Sequence, residues 1–169
     1  AGEWQPSSDR KVRMGIVGYG VCRFGASFSL QDHPNVELVA VSDLIPDRCK
    51  ALAQVCRCEK TYPSLEEMVK DDSIEAIFCA TDAPSHARHC MEVLKHGKHV
   101  ATAVPAFRGD IEDAERLLEC CQKNSRLVCA MFETSVFHDD LYAMERLFAA
   151  GVFGRIVYSE GEYCHPHSL

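Results

Sequence analysis

Gly18-Tyr19-Gly20 closes a short apolar run, Lys11 to Val17 (KVRMGIV), and opens the stretch that follows. Glycines here serve a sharp turn in which the backbone can approach a pyrophosphate held at the N-terminus of the next helix. Asp43 ends the following apolar run, Glu37 to Ser42 (ELVAVS), where a carboxylate can accept hydrogen bonds from both hydroxyls of a ribose. Together they form a pattern suited to a dinucleotide. Leu44, rather than an arginine, comes directly after the carboxylate, so a 2′-phosphate would be repelled and NAD is favoured over NADP. The third glycine of a GxGxxG turn is missing. Arg23 stands in its place and Gly25 comes two residues late, so Arg23 either adds charge near the pyrophosphate or, the favoured reading, lies in solvent on a helix set slightly away from the strand. Cys22 lies where a helix N-terminus would lower a thiol pKa, but beside a bound dinucleotide it reads as a small packed residue.

These residues need a frame. Strand-like runs at 11–17, 37–42, Ile74 to Ala80, His99 to Thr102 and Leu127 to Phe132 alternate with helical patterns. The first helix should run from the glycine cluster to near Asp32. The second starts at Pro46, with Cys49, Leu52, Ala53 and Cys56 on one face. Ser64 and Glu67 form a capping box for a short helix that turns Leu65, Met68 and Val69 inward. Pro84 opens a helix with Ala87, Cys90, Met91 and Leu94 as its buried stripe and Gly97 as its stop. Asp110 caps the next, whose Ile111, Ala114, Leu117, Leu118 and Cys121 should face the core. A last helix turns Leu141, Met144, Leu147 and Phe148 inward and stops at Gly151.

Near-continuous apolar strands alternating with helices predict an α/β fold, a Rossmann-type doubly wound parallel sheet covered on both faces. Arg155 to His165 alternates in period two, as the first strand of another sheet would. The expected organisation is a polar arm over 1–10, a dinucleotide-binding domain over 11–151 and, from 152 to 169, the start of a truncated second α/β domain. At 169 residues, 47% hydrophobic and 25% charged, the chain can support one sizeable core. A net charge of −7 argues against nucleic acid, and no apolar stretch approaches the roughly 20 residues that span a bilayer. The opening AGEWQPSSDR carries no leader, so the expectation is a cytoplasmic protein or one exported after a leader was removed. Ten cysteines without a CxxC pair read as reduced thiols, with a few disulfides as the alternative and structural zinc disfavoured. His165 and His167 share a strand face but lack a third ligand, so no metal site is expected.

GIVGYG, ELVAVSD, IEAIFCATDAPSH, GKHVATAVP and GVFGRIVYSEGEY follow one another in an order that resembles the Gfo/Idh/MocA oxidoreductases, from about Lys11 to the end. The resemblance implies an N-terminal Rossmann domain joined to a larger α/β domain, and NAD- or NADP-linked oxidation or reduction of hydroxyls, mostly on sugars and polyols. It places Gly18, Tyr19, Gly20, Val21 and Cys22 at the pyrophosphate, Asp43 at the adenosine ribose, and Thr81, Pro84 and His86 near the nicotinamide half, with Ala103 and Pro105 beside the nicotinamide. His86 can equally be an ordinary first-turn helix residue.

One departure matters. The family usually carries Glu-Lys-Pro where this chain has Ala103-Val104-Pro105, and valine has no proton to transfer. The family's NAD-dependent glycoside hydrolases, which act on N-acetylgalactosamine, often have Val-Pro there, followed by a Glu, a Tyr and a His. Glu133, Tyr163 and His165 match in that order. In that chemistry, oxidation at C3 acidifies the C2 proton, elimination expels the aglycone, and water addition with re-reduction completes hydrolysis. Glu133, at the end of a strand, is open to a ligand-contacting or a structural-cap role. The readings are thus an NAD-dependent oxidoreductase of sugars or polyols, a redox-assisted glycosidase, or a catalytically silent NAD-binding domain. The complete protein is expected to be a homo-oligomer, and this chain alone to bind dinucleotide without turnover.

Overall fold

The structure is a computed structural model that describes residues 5–20 and 23–162, save the side chain of Val136. It divides into two compact units, Ala1–Phe132 and Glu133–Leu169, so by compactness the division precedes the boundary expected at residue 151.

Six strands make up the sheet of the first unit: β1 Val12–Val17, β2 Val36–Ser42, β3 Thr61–Tyr62, β4 Ala76–Cys79, β5 His99–Thr102 and β6 Cys129–Met131. Their order is β3-β2-β1-β4-β5-β6 and every pairing is parallel. This is the doubly wound order in which the winding reverses between β1 and β4. Successive side chains of a strand face opposite ways, so Ile77 and Cys79 join one core layer while Phe78 and Ala80 join the other. The first layer packs against α3 Leu65–Met68, α4 His86–Lys95 and α5 Ile111–Lys123. The second packs against α1 Phe24–Ser27 and α2 Pro46–Cys56.

Several expectations change. β3 has only two residues, too few for a periodic pattern, and so escapes the sequence. The first helix does not reach Asp32. It lasts one turn, Ser29 adopts a left-handed φ of 49°, and Leu30–Asp32 forms a separate 3-10 turn. Phe24 and Phe28 fix this segment by packing in an aromatic cluster with Phe78 and Phe132, with Phe28 at 5.5 and 5.2 Å from the latter two. On α5, Leu117 and Cys120 are buried, whereas Ile111 is 63% exposed and Leu118 is 59% exposed. Leu118 lies about 100° around the helix from Leu117 and so turns outward.

The arm expected over 1–10 is pinned where it is described. Asn35 accepts from the Ser7 amide at 2.7 Å and donates to the Ser8 and Arg10 carbonyls, each at 2.7 Å.

In the second unit, α6 Asp139–Ala149 has the expected spacing, but Leu141, Met144, Leu147 and Phe148 are all exposed. No described element of that unit covers the stripe. From Arg155 to Glu162 the chain forms no ladder, so the strand expected there is not formed, and the remainder to His165 lies outside the described residues. A strand needs a ladder for its backbone hydrogen bonds, and no ladder is formed along this stretch among the described residues. No helix among the described residues is long and apolar enough to cross a membrane.

Candidate dinucleotide-binding site

The exits of β1, β2, β4 and β5 share the carboxyl edge of the sheet. Gly18 has φ +100°, and a Cβ there would strike the Ala80 carbonyl, so this position must be glycine for the β1 and β4 exits to touch. Its N–H donates to the Ser42 carbonyl at 2.8 Å. The Tyr19 amide donates to Asp43 Oδ2 at 2.7 Å, and Asp43 Oδ1 accepts from the Ile45 amide at 2.8 Å. Asp43 therefore ties the glycine loop to the end of β2. Each of its oxygens has a second lone pair for a further donor. A Cβ on Gly20 would meet nothing within 4 Å, which leaves room for a phosphate against the backbone. Val21 and Cys22 lie outside the described residues.

The position of Gly25 corrects the expectation of a helix set back from the strand. A Cβ at this buried residue would come within 2.5 Å of the Gly18 carbonyl and 3.1 Å of Ile16. Gly25 thus gives the close helix-to-strand approach for which a third glycine is used, two residues late. Arg23, exposed and at φ 49°, lays its guanidinium over the Tyr19 ring at 5.9 Å.

Thr81, at the β4 exit, is held by two histidines of α4. Its carbonyl accepts from His86 Nε2 at 3.0 Å, and its hydroxyl lies 2.8 Å from His89 Nδ1. Arg88 Nη2 donates to His89 Nε2 at 2.8 Å and pairs with Glu66 through Nη1 at 3.4 Å. An arginine can only donate, so His89 Nε2 accepts and its Nδ1–H donates to Thr81. Burial, then the Arg88 charge, pushes the His89 pKa down, consistent with that neutral ring. The Thr81 hydroxyl proton remains free to donate. Pro84 lies exposed in the 3-10 turn Ala83–Ser85.

His86 Nδ1 reaches the Pro105 carbonyl at 2.7 Å, which links the β4 and β5 exits. At the latter, Ala103 is buried and its amide donates to the Cys79 carbonyl at 2.8 Å, while Val104 is 38% exposed and joined to Pro105 by a cis bond. The structure thus groups Gly18, Tyr19, Gly20 and Asp43 on one side and Thr81, His86, Ala103 and Pro105 on the other, joined where Gly18 meets Ala80. His86 is too buried, and too fully occupied by carbonyls, for its ring to touch a ligand.

Of the three expected catalytic residues only Glu133 is described, and it opens the second unit. It accepts from the Ser135 amide at 2.7 Å. The Ser135 hydroxyl and then that amide hold its carboxyl below the usual range, so it is an ionised acceptor rather than an acid. Tyr163 and His165 lie outside the described residues. Among the described residues no three His, Cys, Asp or Glu side chains gather as metal ligands, and the eight described cysteines are free thiols. The sequence reading missed His89 and Arg88. Their signal was the position of His89 one turn after His86 on the same helix.

The sequence profile of the Gfo/Idh/MocA oxidoreductase family, NAD-binding Rossmann fold, matches residues 12–132. A glycosyl hydrolase family 109 protein of Porphyromonas gingivalis is 28% identical over 165 residues, covering 91% of this chain and 34% of its own. The alpha-N-acetylgalactosaminidase of Bacteroides fragilis is 31% identical over 167 residues, covering 91% and 38%. This chain therefore spans little more than a third of the length of these relatives. Among solved structures, the scyllo-inositol dehydrogenase of Lactobacillus casei with bound NAD(H) and scyllo-inositol superposes with a TM-score of 0.78 at 21% identity, over 86% of this chain and 43% of that one. That likeness shows a shared fold. With the profile running from the first residue of β1 to the residue after β6, the chain belongs to the Gfo/Idh/MocA oxidoreductase family, and its first unit is that family's NAD-binding Rossmann fold.

Proposed function

We propose that this chain supplies the NAD-binding unit of an oxidoreductase that acts on hydroxyl groups of a sugar or polyol. One observation carries the proposal: the winding reverses between β1 and β4, and the loops that touch at that reversal carry Gly18, Gly20 and Thr81, with Asp43 tied beside them. Ligands of open parallel sheets lie in the crevice at such a reversal. The residues present fit a dinucleotide. Gly20 leaves the backbone open to a phosphate, the spare lone pairs of Asp43 accept two ribose hydroxyls, and its charge disfavours a 2′-phosphate. The Thr81 hydroxyl can donate to the nicotinamide half, with Pro84, Ala103 and Pro105 beside it. Bound NAD supplies a hydride acceptor for the carbon that bears the reacting hydroxyl. This chain's own residues orient the dinucleotide and, through apolar Ala103 and Val104, keep water from that end.

Val104 cannot take the hydroxyl proton, so a base must come from elsewhere; ionised Glu133 is one candidate, and Tyr163 and His165 are others. The same feature favours a second reading, a redox-assisted glycosidase of N-acetylhexosaminides, because Val104 stands where the family usually has lysine and the two relatives are named as a glycosyl hydrolase and an alpha-N-acetylgalactosaminidase. The complete gene product separates the two. Steady NADH formation with an added polyol or sugar supports the first. Release of p-nitrophenol from an N-acetylgalactosaminide without net NADH supports the second, and neither activity across a panel of both substrate classes contradicts both.

A further inference from the structure

We propose that His86 is a positioning residue whose ring is doubly protonated, and that by donating from both nitrogens it sets the separation of the β4 and β5 exit loops. Its importance for cofactor binding rests on the function proposed above; its protonation does not. The ring is 1% exposed, and each nitrogen points at a backbone carbonyl: Nδ1 at Pro105 at 2.7 Å and Nε2 at Thr81 at 3.0 Å. A carbonyl oxygen has no proton to give. A neutral imidazole carries one N–H, so one of these contacts would set a nitrogen lone pair against an oxygen lone pair. Only the imidazolium satisfies both.

The 2.7 Å contact has the length of a charge-assisted bond. Exchanging the two ring faces does not relieve the conflict, because it would set ring carbons against the carbonyls. One turn along α4 the opposite assignment holds. His89 accepts from Arg88 and donates to Thr81, so it is neutral and adds no second charge beside His86. The charged groups that act on the neighbouring His89 are Arg88 on α4, Glu66 on α3 and Asp82 on the β4 exit loop. Thr81 is thereby fixed at its carbonyl by His86 and at its hydroxyl by His89, while Pro105 is drawn to the same ring. Removal of the His86 proton breaks the link at one end and lets the two loops move apart.

Nuclear magnetic resonance of the ligand-free full chain, labelled with ¹⁵N-histidine at neutral pH, tests the protonation directly. Two slowly exchanging ring N–H protons are expected for His86 and a single Nδ1–H for His89. A bare nitrogen on His86 would overturn the proposal. The signals are assigned by their loss in His86→Asn or, should that variant not fold, by their proximity to Pro105 protons. Calorimetric titration with NAD tests the positioning role. Affinity should fall about tenfold in His86→Asn, which keeps one donor group, the equivalent of about 1.4 kcal/mol. An affinity unchanged in that variant would overturn the positioning role. Two ring N–H protons in a chain that binds no NAD at any pH would overturn the cofactor assignment and leave the protonation standing.

Discussion

Asp43 holds the Tyr19 amide, and under the proposed function its remaining lone pairs accept the ribose hydroxyls, so Asp43→Ala should weaken NAD by about 1.5–3 kcal/mol, the contribution of hydrogen bonds to a charged group. Unchanged affinity in a calorimetric titration would place the ribose elsewhere. Asp43→Asn keeps an acceptor and removes the charge, so the preference for NAD over NADP should narrow when the two are titrated in parallel. Gly25→Ala should cost about 1–3 kcal/mol of stability, read from the urea midpoint, because its Cβ would meet the Gly18 carbonyl, which is backbone and cannot rotate away. Gly18 and Asp43 were legible in the sequence because residue type and strand-end position suffice to single them out. The task of Gly25 was not, since it depends on where α1 crosses β1. Nor was the pairing of His89, whose partners Thr81 and, through Arg88, Glu66 come from the β4 exit loop and α3.

Among the elements, the long apolar strands and the helices with strong stripes were legible, as on α4, where Ala87, Cys90 and Leu94 are buried as the spacing predicts. β3 was not, because two residues carry no period, yet it completes the edge beside β2. Its surroundings include a polar junction with testable consequences. Lys98 is buried and donates from Nζ to the Asp71 carbonyl at 2.7 Å and the Ile74 carbonyl at 2.9 Å, fixing the entry to β4. Lys98→Met should therefore lower stability by about 1–3 kcal/mol in chemical denaturation, as carbonyls lose their donor. The Asp71 carboxylate accepts from Lys60 at 2.7 Å, Tyr62 at 2.8 Å and Ser73, and the Lys60 bond above all holds its pKa well below the usual carboxylate range. Folding thus favours the ionised form. The contribution is complete above about pH 4, where the unfolded carboxyl is also ionised, and is lost as pH falls further. Urea midpoints should drop below that pH in the wild type and drop less in Asp71→Asn; equal slopes would contradict the assignment.

At the scale of the molecule, strand and helix alternation announced the doubly wound sheet, while the stripe of α6 announced a buried face that no described element of its own unit covers. The difference is physical: a periodic pattern states which face seeks burial and not what buries it. The first unit has its own two-layered core and a sheet edge where Gly18, Asp43, Thr81 and Pro105 are held in place by backbone and side-chain hydrogen bonds. The net charge of −7 opposes a dinucleotide at long range, so binding has to come from these local contacts. Isothermal calorimetry of the chain with NAD tests this most directly. Saturable binding of one NAD per chain, weakened in Asp43→Ala, is the predicted result; no heat and no thermal stabilisation with either NAD or NADH would contradict it.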